Sequence, residues 1–131
     1  MESNTVHNFT MKQLIDLVSQ DLQSLNYQIM LSNSNEAIEL PTIVLETPLE
    51  SVLKISHSQI LLKKFQMTIQ CLGESKSKIM KMTDEIDNIL IKRNMKKTNT
   101  VPDTYDAANQ MYKISLIYEV QYNGLTNSLQ S

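Results

Sequence analysis

The sequence predicts an α+β domain: a mixed, mainly antiparallel sheet of four to five strands with two α-helices packed on one face. Three observations predict it. Residues 14–25 and 79–90 repeat apolar side chains at helical spacing. Residues 65–71 and 112–122 alternate apolar and polar side chains, as half-buried strands do. The order of these segments, with helices set between strands, favours two layers that bury each other's apolar sides.

The elements follow in chain order. Residues 1–9 are polar and read as a flexible N-terminal tail, with the domain spanning 10–124 and a second flexible tail at 125–131. Thr10 and Gln13 spell a capping box at the start of a helix over 10–25, and Phe9 and Leu14 stand where a hydrophobic staple would pack. Leu14, Leu17, Val18, Leu22 and Leu25 form its apolar stripe. Tyr27, Ile29 and Leu31 suggest a short strand, broken by the Ser-Asn cluster at 32–35. Residues 41–47 read as a second strand, with Pro41 at its first position, where no ladder bond is needed. Residues 48–58 fit a helical turn or an extended arm equally well.

Residues 59–72 predict a long strand with Phe65, Met67, Ile69 and Cys71 on one face. Gly73 ends it, and Ser75 or Ser77 caps a second helix carrying Ile79, Met82, Ile86, Ile89 and Leu90 to about Arg93. Residues 92–109 lack an apolar stripe and read as a long loop, which could hold a short strand near Val101 or Tyr105. The closing strand, 110–122, sets Tyr112, Ile114, Leu116, Tyr118, Val120 and Tyr122 in one phase, to be packed under the helices. Lys113, Ser115, Glu119 and Gln121 share its other face with Met111 and Ile117.

Composition bounds the function. With 131 residues, 41% hydrophobic and 20% charged, the chain fits one globular domain able to bury roughly two-thirds of its unfolded surface. A net charge of −2 lacks the basic excess of nucleic-acid modules. Cys71 is the only cysteine, so no intrachain disulfide forms, which fits a reducing compartment. No run approaches the roughly 18 apolar residues of a membrane span. The N-terminus lacks the apolar region of a secretory signal. The expectation is a protein made in the cytoplasm, alone or assembled into something larger, with no membrane partner.

No catalytic constellation emerges. His7 and His57 lie in polar segments, and Cys71 lies on an apolar strand face, where a cysteine usually serves as a small core hydrophobe. One Cys and two distant His make no zinc set, and Asp84, Glu85 and Asp87 do not follow a calcium-loop pattern. With 2 Gly, a glycine-rich phosphate cradle is excluded. The expectation is no enzyme, no metal and no cofactor.

Three features stand out instead. Lys76, Lys78 and Lys81 crowd a helix start, where the dipole disfavours positive charge. They read as a solvated helix end or, less simply, as a contact for an acidic surface. Ile60, Leu61 and Leu62 are apolar on both faces of their strand, with Leu53 and Ile55 just before them. Another segment or a neighbouring subunit must cover such a patch. These residues, with Met111 and Ile117, are the candidate protein interface. The long loop is the third feature, since loops of that length are usually functional or disordered.

The pattern resembles the tail terminator, or tail completion, proteins of long-tailed non-contractile phages. It is carried by an N-terminal helix, the Leu-Pro-Thr-Ile-Val strand at 40–44 and the Lys-x-x-x-Thr-Ile-x-Cys strand at 64–71. An amphipathic helix, a loop and a closing strand ending Tyr-Glu-Val-Gln-Tyr-Asn at 118–123 complete it, so that it covers about residues 10–123. The resemblance implies a mixed sheet flanked by helices and a hexameric homo-oligomeric ring. That ring would cap the head-proximal end of the tail tube, stop tube polymerisation and offer the surface that joins the head-tail connector. DNA would pass through the lumen without being gripped. A ring interface joins two different patches around a closed rotation, and the stretch at 60–62 is the first candidate for one of them. Competing readings are another neck or head-closure subunit, a small nucleic-acid-binding α+β module, and an enzyme whose site forms between subunits.

Overall fold

The two longest alternating runs in the chain pair with each other. A computed structural model, which describes residues 5–131, sets β4 (Gln59–Gly73) antiparallel to β6 (Met111–Asn123), with Phe65 opposite Val120 and Ile69 opposite Leu116. Around this pair, the described residues form a sheet of seven strands. β2 (Thr42–Leu45) and β3 (Leu49–Ser56) share the other edge of β4, β2 against its C-terminal end and β3 against its N-terminal end. β1 (Gln28–Leu31) lies parallel outside β2. Beyond β6 lie β5 (Lys96–Asp106) and β7 (Ser128–Gln130), both antiparallel to it.

The register decides where the core sits. It aligns the odd positions of β4 with the even positions of β6, so Phe65, Met67, Ile69 and Cys71 share a face with Leu116, Tyr118, Val120 and Tyr122. Helices α1 (Met11–Leu22) and α2 (Lys76–Leu90) cover that face with Leu14, Val18 and Leu22 and with Ile79, Met82, Ile86 and Leu90. Fully burying a side chain of this size contributes about 1.5–3 kcal/mol, which makes this layer the main source of stability. Ile114 and Tyr112 are half-buried against the same core, consistent with the expected phase of the closing strand.

Local chemistry sets the helix starts. Thr10 accepts from the Gln13 backbone at 3.1 Å while the Gln13 side chain accepts from the Thr10 backbone at 2.8 Å, closing the capping box. Ser75 caps α2 by accepting from Lys78 N–H at 3.2 Å. Each helix ends in a short 3-10 turn, Gln23–Leu25 and Ile91–Arg93, closed by an asparagine in the left-handed region, Asn26 and Asn94. Arg93 clamps the two helix ends together through Asp21, at 2.7 and 3.0 Å.

The α+β class and the one-sided helices match expectation, but the sheet has more strands than the four to five expected. The ambiguous segment 48–58 is a strand and a turn. The expected loop at 92–109 is mostly β5, an edge strand. It has no apolar stripe because it is exposed along nearly its whole length, and Pro102 sits in the break of register between Val101 and Thr104, where it owes no ladder bond. Residues 125–131, read as a flexible tail, turn back as β7, and Leu129 packs against the core. Of the expected N-terminal tail, residues 1–4 lie outside the described residues, and His7 to Phe9 are tied to the sheet by hydrogen bonds and ring stacking. Among the described residues, no helix is long and apolar enough to cross a membrane.

Candidate protein interface

β4 is 15 residues long, and the helices cover only part of it. Its N-terminal end and β3 form a hairpin arm. The arm turns through His57 and Ser58, whose φ angles of 50° and 64° give the two consecutive left-handed residues of a tight hairpin turn. The ladder shifts register on either side of Lys54. An extra residue is accommodated first on β3, at Leu53, and then on β4, at Leu61. Such bulges bend and twist a hairpin and often re-aim side chains.

The arm is apolar and, among the described residues, uncovered. Ile55 and Ile60 face each other across the ladder next to the turn and are 61% and 37% exposed. Leu49 is 66% exposed, and Val52 and Leu53 are also exposed. Leu61 and Leu62 are half-buried at the arm's root. Charge is sparse. Glu50 is taken up by Lys63 at 3.1 Å, which leaves Lys54 as the exposed cation among the apolar side chains. Clustered exposed apolar side chains of this kind mark interaction surfaces in folded proteins.

Five of the expected interface residues, Leu53, Ile55, Ile60, Leu61 and Leu62, therefore lie together on the arm. The other two do not join them. Met111 is a correction. It begins β6 at the opposite end of the sheet and is only 9% exposed, packed with Val44 and Leu72 in a small cluster on the helix-free face. Its apolarity is satisfied within the chain. Ile117 is half-buried on that same face, between Thr68 of β4 and Asn99 of β5. Leu49 and Val52, outside the expected set, are exposed on the same arm. Reading 48–58 as a strand paired with 59–66 would have found them.

The helix-free face around Ile117 is polar and balanced in charge. Lys64 approaches Glu119 at 3.7 Å and Gln70 donates to Glu46 at 3.0 Å, among Gln66, Thr68, Ser115 and Gln121. The aromatics that a nucleic-acid surface would display lie elsewhere. Tyr118 and Tyr122 are buried under the helices, and Tyr105 packs at a tilt of 54° against half-buried Tyr112 with ring centroids 4.8 Å apart. Two of the three lysines at the start of α2 find partners in the chain. Lys76 reaches Asp103 at 3.7 Å and Lys78 lies 5.0 Å over the Tyr27 ring.

Under α2, burial and hydrogen bonds to carboxylates set the state of the titratable groups. Tyr118 donates to Asp87, which also pairs with Lys97 at 2.6 Å; burial first, and then this carboxylate, raise the tyrosine's pKa. Tyr27 donates to Glu85 at 2.5 Å and is pushed up to about 12 by burial and by that carboxylate. Burial pushes the Cys71 thiol up to about 12, so at neutral pH it is protonated and a poor nucleophile. A groove of about 420 Å³ beside Asp87, Met95, Lys97 and Tyr118 opens near the C-terminus. Asp87, Lys97 and Tyr118 are engaged with one another, and Asn94 donates to the Leu129 carbonyl at 3.0 Å. The chain matches no protein-family model and no curated protein.

Proposed function

We propose that the chain is a structural subunit of a phage tail: a tail terminator that assembles with copies of itself into a ring, hexameric in the family it resembles. The ring would cap the head-proximal end of the tail tube, stop its polymerisation and present the surface for the head-tail connector. The observation that carries the reading is the arm. Exposed Leu49, Val52, Leu53, Ile55 and Ile60 on one projecting hairpin need a protein cover that the described residues do not supply. The sequence resemblance supplies the identity of that cover, a neighbouring copy.

The mechanism is geometric and needs no substrate. An arm leaving one side of the sheet suits a closed ring, in which one patch of each subunit meets a different patch of the next. The helix-free face, with its lysines balanced by carboxylates, suits a lumen that lets DNA pass, because a basic wall would retain phosphates. The protein would be carried in the virion after assembly in the host cytoplasm.

Negative-stain imaging and tube capping test the proposal. Purified protein is expected to form rings and to bind the ends of isolated tail tubes, halting their growth. Binding to filled heads without binding to tubes would move the assignment to a head-closure subunit. Salt-dependent micromolar binding of single-stranded nucleic acid by a monomer would replace it with the nucleic-acid reading.

A further inference from the structure

We propose that residues 6–9 are a strap that holds the hairpin arm in one orientation, with Lys63 as its latch and Gly124 as the plate over which it passes. The arm needs such a support. β3 pairs with β4 alone, and β6 accompanies β4 only as far as Leu62, opposite Asn123. Beyond that point no helix among the described residues packs on the hairpin, so its direction must be set at its root.

Separate contacts converge on that root. His7 N–H donates to the Gly124 carbonyl at 2.8 Å, and Gly124 N–H donates to the Leu61 carbonyl at 2.8 Å. One residue thus relays the strap to the arm. A side chain at Gly124 would have its Cβ 2.8 Å from the His7 carbonyl oxygen, 3.1 Å from Val6 and 3.3 Å from the Ile60 carbonyl oxygen. Glycine is required there for close approach, not for an unusual φ.

Lys63 supplies the latch. It is 6% exposed, and its ammonium donates to Asn8 Oδ1 at 2.7 Å, to the Phe9 carbonyl at 3.2 Å and to Glu50 Oε1 at 3.1 Å. An ammonium has three protons to place, and here two go to the strap and one to β3. A buried cation that loses its partners is costly, so the latch favours strap and arm together. Phe9 anchors the strap to the core, stacked on Tyr122 at 5.2 Å and edge-on to Phe65 at 6.0 Å. Strap, arm root and core edge therefore form one unit, and releasing the strap frees the arm without opening the core. This inference stands whether or not the protein forms a ring.

Hydrogen exchange of the full-length protein tests it through two variants acting at different points. Lys63→Met removes the latch and Gly124→Ala forces the strap off its plate. In each, amides of residues 50–62 are expected to exchange about tenfold faster or more, while those of 65–71 and 116–120 stay within about twofold. If one variant fails to fold, the other decides. Unchanged arm exchange, loosening in only one of two folded variants, or equal acceleration of arm and core would overturn the strap.

Discussion

The two ends of β4 have much the same apolar content and opposite fates. Phe65, Met67, Ile69 and Cys71 are buried under two helices, while Ile60 stands exposed on the arm beside Leu61 and Leu62. The difference lies in pattern rather than hydrophobicity. Strict alternation marks a strand that buries one face in its own domain. An apolar run on both faces marks the point where β4 leaves that domain. There, apolar surface is a reason to look for another chain.

Mutation should separate the two ends sharply. The largest effect is expected for Ile69→Ala, which opens a cavity between sheet and helices and should cost about 2–5 kcal/mol in chemical denaturation. Tyr118→Phe should cost about 1–3 kcal/mol, because it removes a charge-assisted hydrogen bond to half-buried Asp87 and leaves the carboxylate to Lys97 alone. The smallest effect is expected at the arm, where Ile60→Ala should stay within about 0.5 kcal/mol of the parent. A loss at Ile60 comparable to that at Ile69 would mean that the arm belongs to the core after all.

Alkaline pH probes the buried half alone. Cys71 and Tyr118 have pKa values raised by burial, so the folded state keeps protons that the unfolded chain gives up. Their contribution is complete below the unfolded values of 9.0 and 10.0 and is lost as pH rises toward the folded ones. Stability measured by urea titration should therefore hold from neutrality to about pH 8.5 and then fall, each group adding up to roughly 1.4 kcal/mol per pH unit. Cys71→Ala should delay the onset by removing the group that ionises first. A fall beginning at neutral pH would contradict the buried, protonated thiol.

Much of the fold was legible in the sequence because it rests on local chemistry. The capping box at Thr10, the serine cap at Ser75, the stripe of α2 and the phase of β6 all follow from neighbours a few residues apart. What escaped were the edge elements. β3, β5 and β7 carry little apolar periodicity because the strand they pair with, not their own burial, makes them strands. Met111 was misassigned for a related reason. Its cover, Val44 and Leu72, comes from strands far away in sequence. The gathering of Leu53, Ile55, Ile60, Leu61 and Leu62 on one arm was legible because a two-sided apolar run is visible residue by residue. Lys63 was not: it shares the phase of Phe65 and Met67, but a lysine looks solvent-facing by its charge until Asn8, Phe9 and Glu50 are brought around it.

The most direct test of the arm's role is the mass in solution of the parent and of an Ile55→Asp/Ile60→Asp variant, measured by light scattering after size exclusion. The parent is expected near six times the 15.0 kDa chain, and the variant at one chain with unchanged circular dichroism. A parent that is monomeric at high micromolar concentration, or a variant that keeps the parent's assembly, would contradict the assignment of the arm to contacts between copies.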